Sequence, residues 1–238
     1  MLNWLAETSD PYEREGAVDL QSKIHTNLLD SFDSPEAAQK FLSGGRTFWR
    51  REALIKSQLV AGREFHGTIL EIGAGTGWCS SLLSTVDEVD KVYCLDYDPV
   101  SVQMLMPVVQ KVIGANSSKI ERVIGSFNSM PLEEEIDSVI SIGALHHSEH
   151  LYASLQSCFK ALKPGGWLFA SEPVYFDNET NTEILGRYKR EDPNSIKKYG
   201  RVTKHEDNSD HYYRISEFIA ASYSAKFDVF PFVFDLDG

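Results

Sequence analysis

Residues 69–77 read ILEIGAGTG, with glycine at 73, 75 and 77, Ala74 between the first two, and Glu71 just ahead. Glycine lacks a Cβ and tolerates positive φ, so such a loop turns sharply from strand into helix and lets a ligand approach the backbone. The dinucleotide pattern is G-x-G-x-x-G, whose last glycine lets helix and strand pack closely. Here the third glycine comes one residue early, and Trp78 stands where the dinucleotide pattern needs glycine. A pyrophosphate on the helix N-terminus is hard to reconcile with that tryptophan. About 20 residues beyond the loop, Asp96 ends the next apolar run, where a carboxylate accepts two hydrogen bonds from a ribose diol. Loop and acid together point to a cofactor that carries a nucleoside; a tight turn followed by turn-forming acids is the plainer alternative.

Two further stretches hold groups able to move protons. His146 and His147 follow the apolar run IDSVISI (136–142), and an imidazole there could act as a base near neutral pH. A histidine bonded to backbone at a helix start is the competing account. With His150, the HHSEH stretch has a metal-like i, i+4 spacing, but a helix should only be starting there, so no metal is expected. The second stretch, KHEDNSDHYYRISEF (204–218), carries His205, His211, Tyr212 and Tyr213. It reads either as a solvated loop or as a lid with tyrosines as its apolar wall against a substrate.

These groups need a scaffold, and the apolar pattern supplies one. Short runs at 68–72, 91–96, 120–124, 136–142 and 166–171 alternate with helical segments near 78–86, 99–113 and 150–161. Val-, Ile- and Leu-rich strands alternating with helices predict an α/β fold with a doubly wound, mostly parallel sheet and helices on both faces. Asp98-Pro99 caps the second helix, which Pro107 should kink or end. Residues 1–66 lack strand alternation and are expected to form a helical extension to a core over 67–238. In it, Ser34-Pro35 starts one helix, Gly44-Gly45 breaks it, and a second begins near Phe48. Trp49 and Arg50 on that helix are candidates to cover the cofactor pocket, although packing is the simpler account of Trp49. Residues 172–212 are polar and too long for an ordinary loop, which suggests a lid. A helix over 216–225, capped by Ser216, and a strand over 226–234 follow. LKPGG (162–166) reads as a helix end turning into a strand.

The bulk properties narrow the partners. The 238 residues carry a net charge of −12, which argues against a nucleic-acid partner. The three cysteines are widely spaced, so no disulfide framework is expected, and Cys94 reads as a small buried hydrophobe. No run approaches a membrane span, and the N-terminus lacks a signal-peptide layout, so a cytosolic protein is expected.

EIGAGTG, LDYDP, IDSVISIGALHH and LKPGGWLFA, in this order and spacing, resemble a class I S-adenosylmethionine (SAM)-dependent methyltransferase over residues 66–171. The resemblance implies a Rossmann-like sheet with SAM across the carboxyl ends of its first strands. It implies that Glu71 and the Gly73–Gly77 loop hold the methionine end, that Asp96 holds the ribose hydroxyls, and that Tyr97 flanks the adenine. Ser126 and Phe127 stand where the family commonly has an acidic residue for the adenine amino group. Gly143 and Leu145 would line the cofactor. The expected acceptor is a small molecule methylated on oxygen or nitrogen, such as a sugar or natural-product intermediate. A quinone-type C-methyltransferase and a SAM-binding module without turnover stay open, whereas an NAD oxidoreductase is disfavoured by Trp78. Nucleic-acid N6-adenine and protein-glutamine enzymes usually carry Asn-Pro-Pro-aromatic where this chain has Gly-Ala-Leu-His. The family sheet normally has seven strands. The run 226–234 supplies a sixth and nothing remains for the seventh, as in a fragment, a chain that continues, or a trimmed sheet. An open apolar edge then invites self-association.

Overall fold

A computed structural model describes residues 1–5, 34–148, 150–187, 191–192, 203–204, 211 and 213–232. Its centre is a six-stranded, wholly parallel sheet. The strands are β1 (Leu2–Asn3), β2 (Gly67–Ile72), β3 (Val89–Asp96), β4 (Ile120–Ile124), β5 (Ile136–Ile142) and β6 (Leu162–Ser171), in the order β1-β4-β3-β2-β5-β6. The chain runs outward from β2 through β3 to β4, then returns to the other side of β2. The reversal opens a crevice beyond the carboxyl ends of β2 and β5, where ligands bind in such sheets.

Alternate side chains of each strand feed two cores, because successive Cβ atoms point to opposite faces. Leu70 and Ile72 join Leu151, Leu155 and Cys158 of α5 (Leu151–Ala161) on one face. Ile69 joins Leu54 of α2 (Gly45–Ala61), Leu83 of α3 (Trp78–Leu83) and Val109 of α4 (Met106–Ile113) on the other. Burial on both faces explains why these strands read as apolar runs rather than alternating ones. Ser34 caps α1 (Pro35–Leu42), its hydroxyl accepting from the Ala37 N–H at 3.1 Å. Pro107 has no N–H to continue an α-helical ladder, and a π-helical turn (Ser101–Leu105) leads into α4 beside it. The LKPGG residues form a bulge at the start of β6. Ile136 pairs with Leu162 but Ser138 with Trp167, so residues 163–166 are looped out of register.

Four expectations are corrected. The sixth strand is not the 226–234 run, of which residues 226–232 form no strand. It is Leu2–Asn3, within a segment expected to be helical; Trp4 then anchors it, donating its N–H to the Ile124 carbonyl at 2.7 Å. At two residues the strand is too short to show any periodicity. The second helix begins at Gly45 rather than near Phe48. Ser216 does not cap α7 (Ile215–Ser224): Arg214 precedes it and gives its N–H to Glu217 at 2.8 Å, while the Ser216 hydroxyl donates to Asp177 at 2.5 Å. The segment after β6 contains α6 (Asn181–Arg187) and a short antiparallel pair, β7 (Glu191–Asp192) and β8 (Thr203–Lys204).

Trp4 is buried with Leu95, Val123 and Phe127 and ties the chain start to the sheet. Trp4→Ala should destabilise the fold by about 3 kcal/mol in urea titrations, the cost of emptying an aromatic core site. A loss below about 1 kcal/mol would show that this segment is not docked.

Candidate functional site

The loop after β2 uses its glycines for different reasons. Gly73, Gly75 and Gly77 have φ of +59°, +52° and +69°, a region L side chains rarely adopt. A Cβ at Gly73 would lie 2.4 Å from the Ala144 Cβ, so that site is also sterically closed, and one at Gly77 would press on Met106 Cγ at 3.0 Å. A Cβ at Gly75 would meet nothing within 4 Å and would project into open space. Gly75 is thus the point at which the backbone itself faces the cleft. Ala74 holds the loop against β3 by donating its N–H to the Leu95 carbonyl at 2.9 Å.

Three carboxylates surround this loop. Asp96, at the end of β3, accepts from the Gly75 N–H at 2.7 Å and from the Asp98 N–H at 2.9 Å. Asp98 caps the following helical turn, accepting from Ser101 N–H at 2.8 Å and Val100 N–H at 3.2 Å. Glu71 points to the α3 face of the sheet and accepts from the Ser80 N–H at 2.8 Å and the Ser80 hydroxyl at 2.5 Å. Burial pushes the Glu71 pKa up to about 7 despite the two Ser80 bonds, with the Asp96 charge adding to the rise.

A cleft of about 870 Å³ lies over these groups. Glu71, Gly73, Ala74 and Gly75 line it from the β2 side, Asp96 and Tyr97 from β3. Phe127, Gly143 and His147 complete the wall, and Trp78 joins them at the start of α3. Lys40 and Arg50 reach it from α1 and α2, so the helical cover contributes two cations to a cleft whose floor is acidic. Arg50 Nη2 lies 2.6 Å from where a Gly143 Cβ would be, and Gly143 has φ +67°. A side chain there would be strained by that φ and would displace the Arg50 guanidinium.

The remaining expected residues lie off the cleft. Gly77 is buried under α3, and Leu145 is fully buried in the core. Ser126 is buried and accepts from the Asn128 N–H at 3.1 Å. His146 is not among the lining residues and meets Glu172, its Nδ1 2.9 Å from the carboxylate. His211 is buried and donates its N–H to the His146 carbonyl at 2.8 Å. Tyr213 is a core residue rather than a lid wall: it is 2% exposed, and its hydroxyl donates to the Ser148 carbonyl at 2.6 Å. His205 and Tyr212 lie outside the described residues. Among the described residues no group of three His, Cys, Asp or Glu side chains could hold a metal ion. Sequence reasoning missed Glu172. The available signal was an acid directly after the β6 run, masked by its position at the head of a long polar stretch.

The Glu71 shift sets a pH dependence. The native chain holds this proton between about 4.5 and about 7, where the unfolded chain has lost it. The stability this gives is complete below the lower value and is lost as pH rises to the upper one. At pH 8, Glu71→Gln should therefore raise stability by about 1–3 kcal/mol in thermal or urea melts. A destabilised variant at that pH would contradict the buried, strained carboxylate.

A family model described as a methyltransferase domain matches residues 70–170. The hybrid PKS-NRPS synthetase thnA of Trichoderma harzianum is 28% identical over 190 residues, 78% of this chain and 4% of that protein. A Mycolicibacterium smegmatis protein named "Probable S-adenosylmethionine-dependent methyltransferase" is 26% identical over 127 residues, 53% of this chain and 46% of that one. The chain spans less than half the length of the curated relatives it matches. Among solved structures, the YcgJ protein from Bacillus subtilis superposes with a TM-score of 0.56 at 16% identity, covering 74% of this chain and 68% of that one. These matches show a methyltransferase domain over residues 70–170, on the parallel sheet with its glycine loop and following acid, and S-adenosyl-L-methionine is the cofactor such domains use.

Proposed function

We propose that the chain transfers a methyl group from SAM to a small-molecule acceptor, on oxygen or nitrogen. The observation that carries this reading is the convergence of Gly75, Asp96 and Glu71 on one cleft with His147 on its wall. The residues present suit the cofactor: the backbone is open at Gly75, and Asp96 and Glu71 on the cleft can accept from a ribose diol and an ammonium. Bound SAM supplies an electrophilic methyl group on a sulfonium that is already an excellent leaving group.

The protein's own task is then alignment and exclusion of water. Asp96 keeps its backbone bonds and also accepts from the ribose hydroxyls. Glu71 receives the ammonium, and Gly73, Ala74 and Gly75 carry the methionine chain. Tyr97 and Phe127 flank the adenine ring, with Ser126 behind them; Gly77 and Leu145 act by shaping the loop and the wall. Gly143 lets Arg50 come close enough to meet the methionine carboxylate. His147 is the imidazole presented to the acceptor, and a hydroxyl acceptor would give its proton there. The likeness to a segment of a PKS-NRPS synthetase supports a natural-product intermediate as acceptor.

In this reading α1 and α2, from residues 1–66, and the 172–212 segment with His205, His211 and Tyr212 cover a core spanning 67–238. No helix among the described residues is long and apolar enough to cross a membrane, and the reading places the protein in the cytoplasm. Its partners are small molecules, not nucleic acid.

Two outcomes are expected. Arg50→Ala should weaken binding of S-adenosylhomocysteine at least about tenfold in calorimetry, the loss of one charge-assisted pair. It should leave 5′-methylthioadenosine, which lacks the amino-acid end, unchanged; equal loss for both ligands, or for neither, would remove Arg50 from the cofactor site. β6 pairs only with β5 among the described residues. Sedimentation should accordingly show self-association through that edge, and a monodisperse monomer would contradict it.

A further inference from the structure

Glu172 follows β6 directly. The β5–β6 ladder pairs Ile142 with Ser171 and continues with the Gly143 N–H donating to the Ser171 carbonyl at 2.9 Å. This register delivers the Glu172 carboxylate to the one-turn 3-10 helix Leu145–His147. Its Oε1 accepts from the Ser141 hydroxyl at 2.5 Å and from the Ala144 and Leu145 N–H groups, each at 3.1 Å. Its Oε2 accepts from the His146 N–H at 3.3 Å and meets His146 Nδ1 at 2.9 Å.

Every one of these partners can only donate or is free to donate, so the site demands a group that only accepts. A glutamine would set an N–H against at least one other N–H. The carboxylate side chain is 3% exposed, and a buried acid is costly unless it is fully matched. Burial pushes its proton affinity up, yet the His146 ring, the Ser141 hydroxyl and the Ala144 N–H outweigh that and keep it ionised. Closing a single turn of helix needs no such arrangement, since a neutral hydroxyl or amide satisfies orphan N–H groups. The unexplained part is the imidazole.

An ionised acceptor at Nδ1 requires a proton on that nitrogen, which fixes the tautomer of neutral His146 and leaves Nε2 as its basic atom. The ring is braced from other directions too. His147 packs on it with centroids 4.1 Å apart, and His211 holds its backbone carbonyl. His147, one residue on, is the member of the pair that lines the cleft.

We propose that Glu172 is a positioning residue: it fixes His146 in its Nδ1-protonated form, and that ring in turn sets the His147 imidazole on the cleft wall. The inference deepens the reading of the cleft as a methyl-transfer site and rests on it for its purpose.

The test is nitrogen-15 NMR of the histidine rings in the full chain, with and without S-adenosylhomocysteine. In the wild-type protein His146 should carry its proton on Nδ1, with a slowly exchanging, downfield ring N–H. Glu172→Gln should lose that resonance while circular dichroism stays native, and Glu172→Asp should restore part of it. His146 protonated only on Nε2 in the wild type, or an unchanged Nδ1 signal in Glu172→Gln, would overturn the proposal. The wild-type tautomer decides the matter even where Glu172→Gln does not fold. His146→Ala supplies a second arm, since it should shift the His147 ring resonances, and no shift would overturn the bracing. Binding of S-adenosylhomocysteine is read in the same samples. Binding with the wrong tautomer sinks only the Glu172 inference, whereas the right tautomer without binding sinks only the cofactor reading.

Discussion

Carboxylates gathered at the carboxyl ends of parallel strands must each find donors, and the loops of this protein are built to supply them. Glu71 near the end of β2 meets Ser80, Asp96 ends β3 against the N–H groups of Gly75 and Asp98, and Glu172 just after β6 meets the Ala144–His146 turn. A buried acid without such partners would take up a proton or unravel its loop. Glu71, with bonds only from Ser80 among the described residues, is the least satisfied and is the one whose pKa rises. Glu172, with donors on both oxygens, falls below the ordinary range. The contrast follows from donor count rather than burial, since both are buried deeply.

The same constraint organises the cleft. Satisfying Asp96 pins Gly75, and pinning Gly75 leaves its open side facing the cavity. Satisfying Glu172 pins residues 144–146, against which Gly73 must pack without a side chain. Floor and wall are therefore two loops held by acids from neighbouring strands, and the helical cover brings Lys40 and Arg50 to the opposite side. Electrostatic asymmetry of this kind suits a ligand that carries separated positive and negative groups.

Much of this was legible in the sequence because it rests on local rules. The five central strands came from apolar runs, and the glycine loop with its following acid came from spacing that only a close-approach turn requires. What stayed hidden depends on contacts between distant residues. Leu2–Asn3 is too short to show a period and becomes a strand only because β4 offers it an edge. The 226–234 run has the composition of a strand, but composition does not provide a partner, and residues 226–232 form none. Tyr213 looked like a lid residue from its polar neighbours, whereas a backbone carbonyl 65 positions away draws its hydroxyl into the core. Which of two adjacent histidines faces the cleft was likewise invisible, because it is decided by Glu172.

The central claim is that the acids and the open glycine form the seat of SAM. Calorimetry with SAM, S-adenosylhomocysteine and NAD on the wild-type chain and on Asp96→Ala tests it most directly. Both sulfur ligands should bind the wild type and NAD should not, and Asp96→Ala should weaken them by about a hundredfold, as expected for two lost charge-assisted hydrogen bonds. Binding of NAD alone, or sulfur-ligand affinity unchanged by Asp96→Ala, would contradict the account.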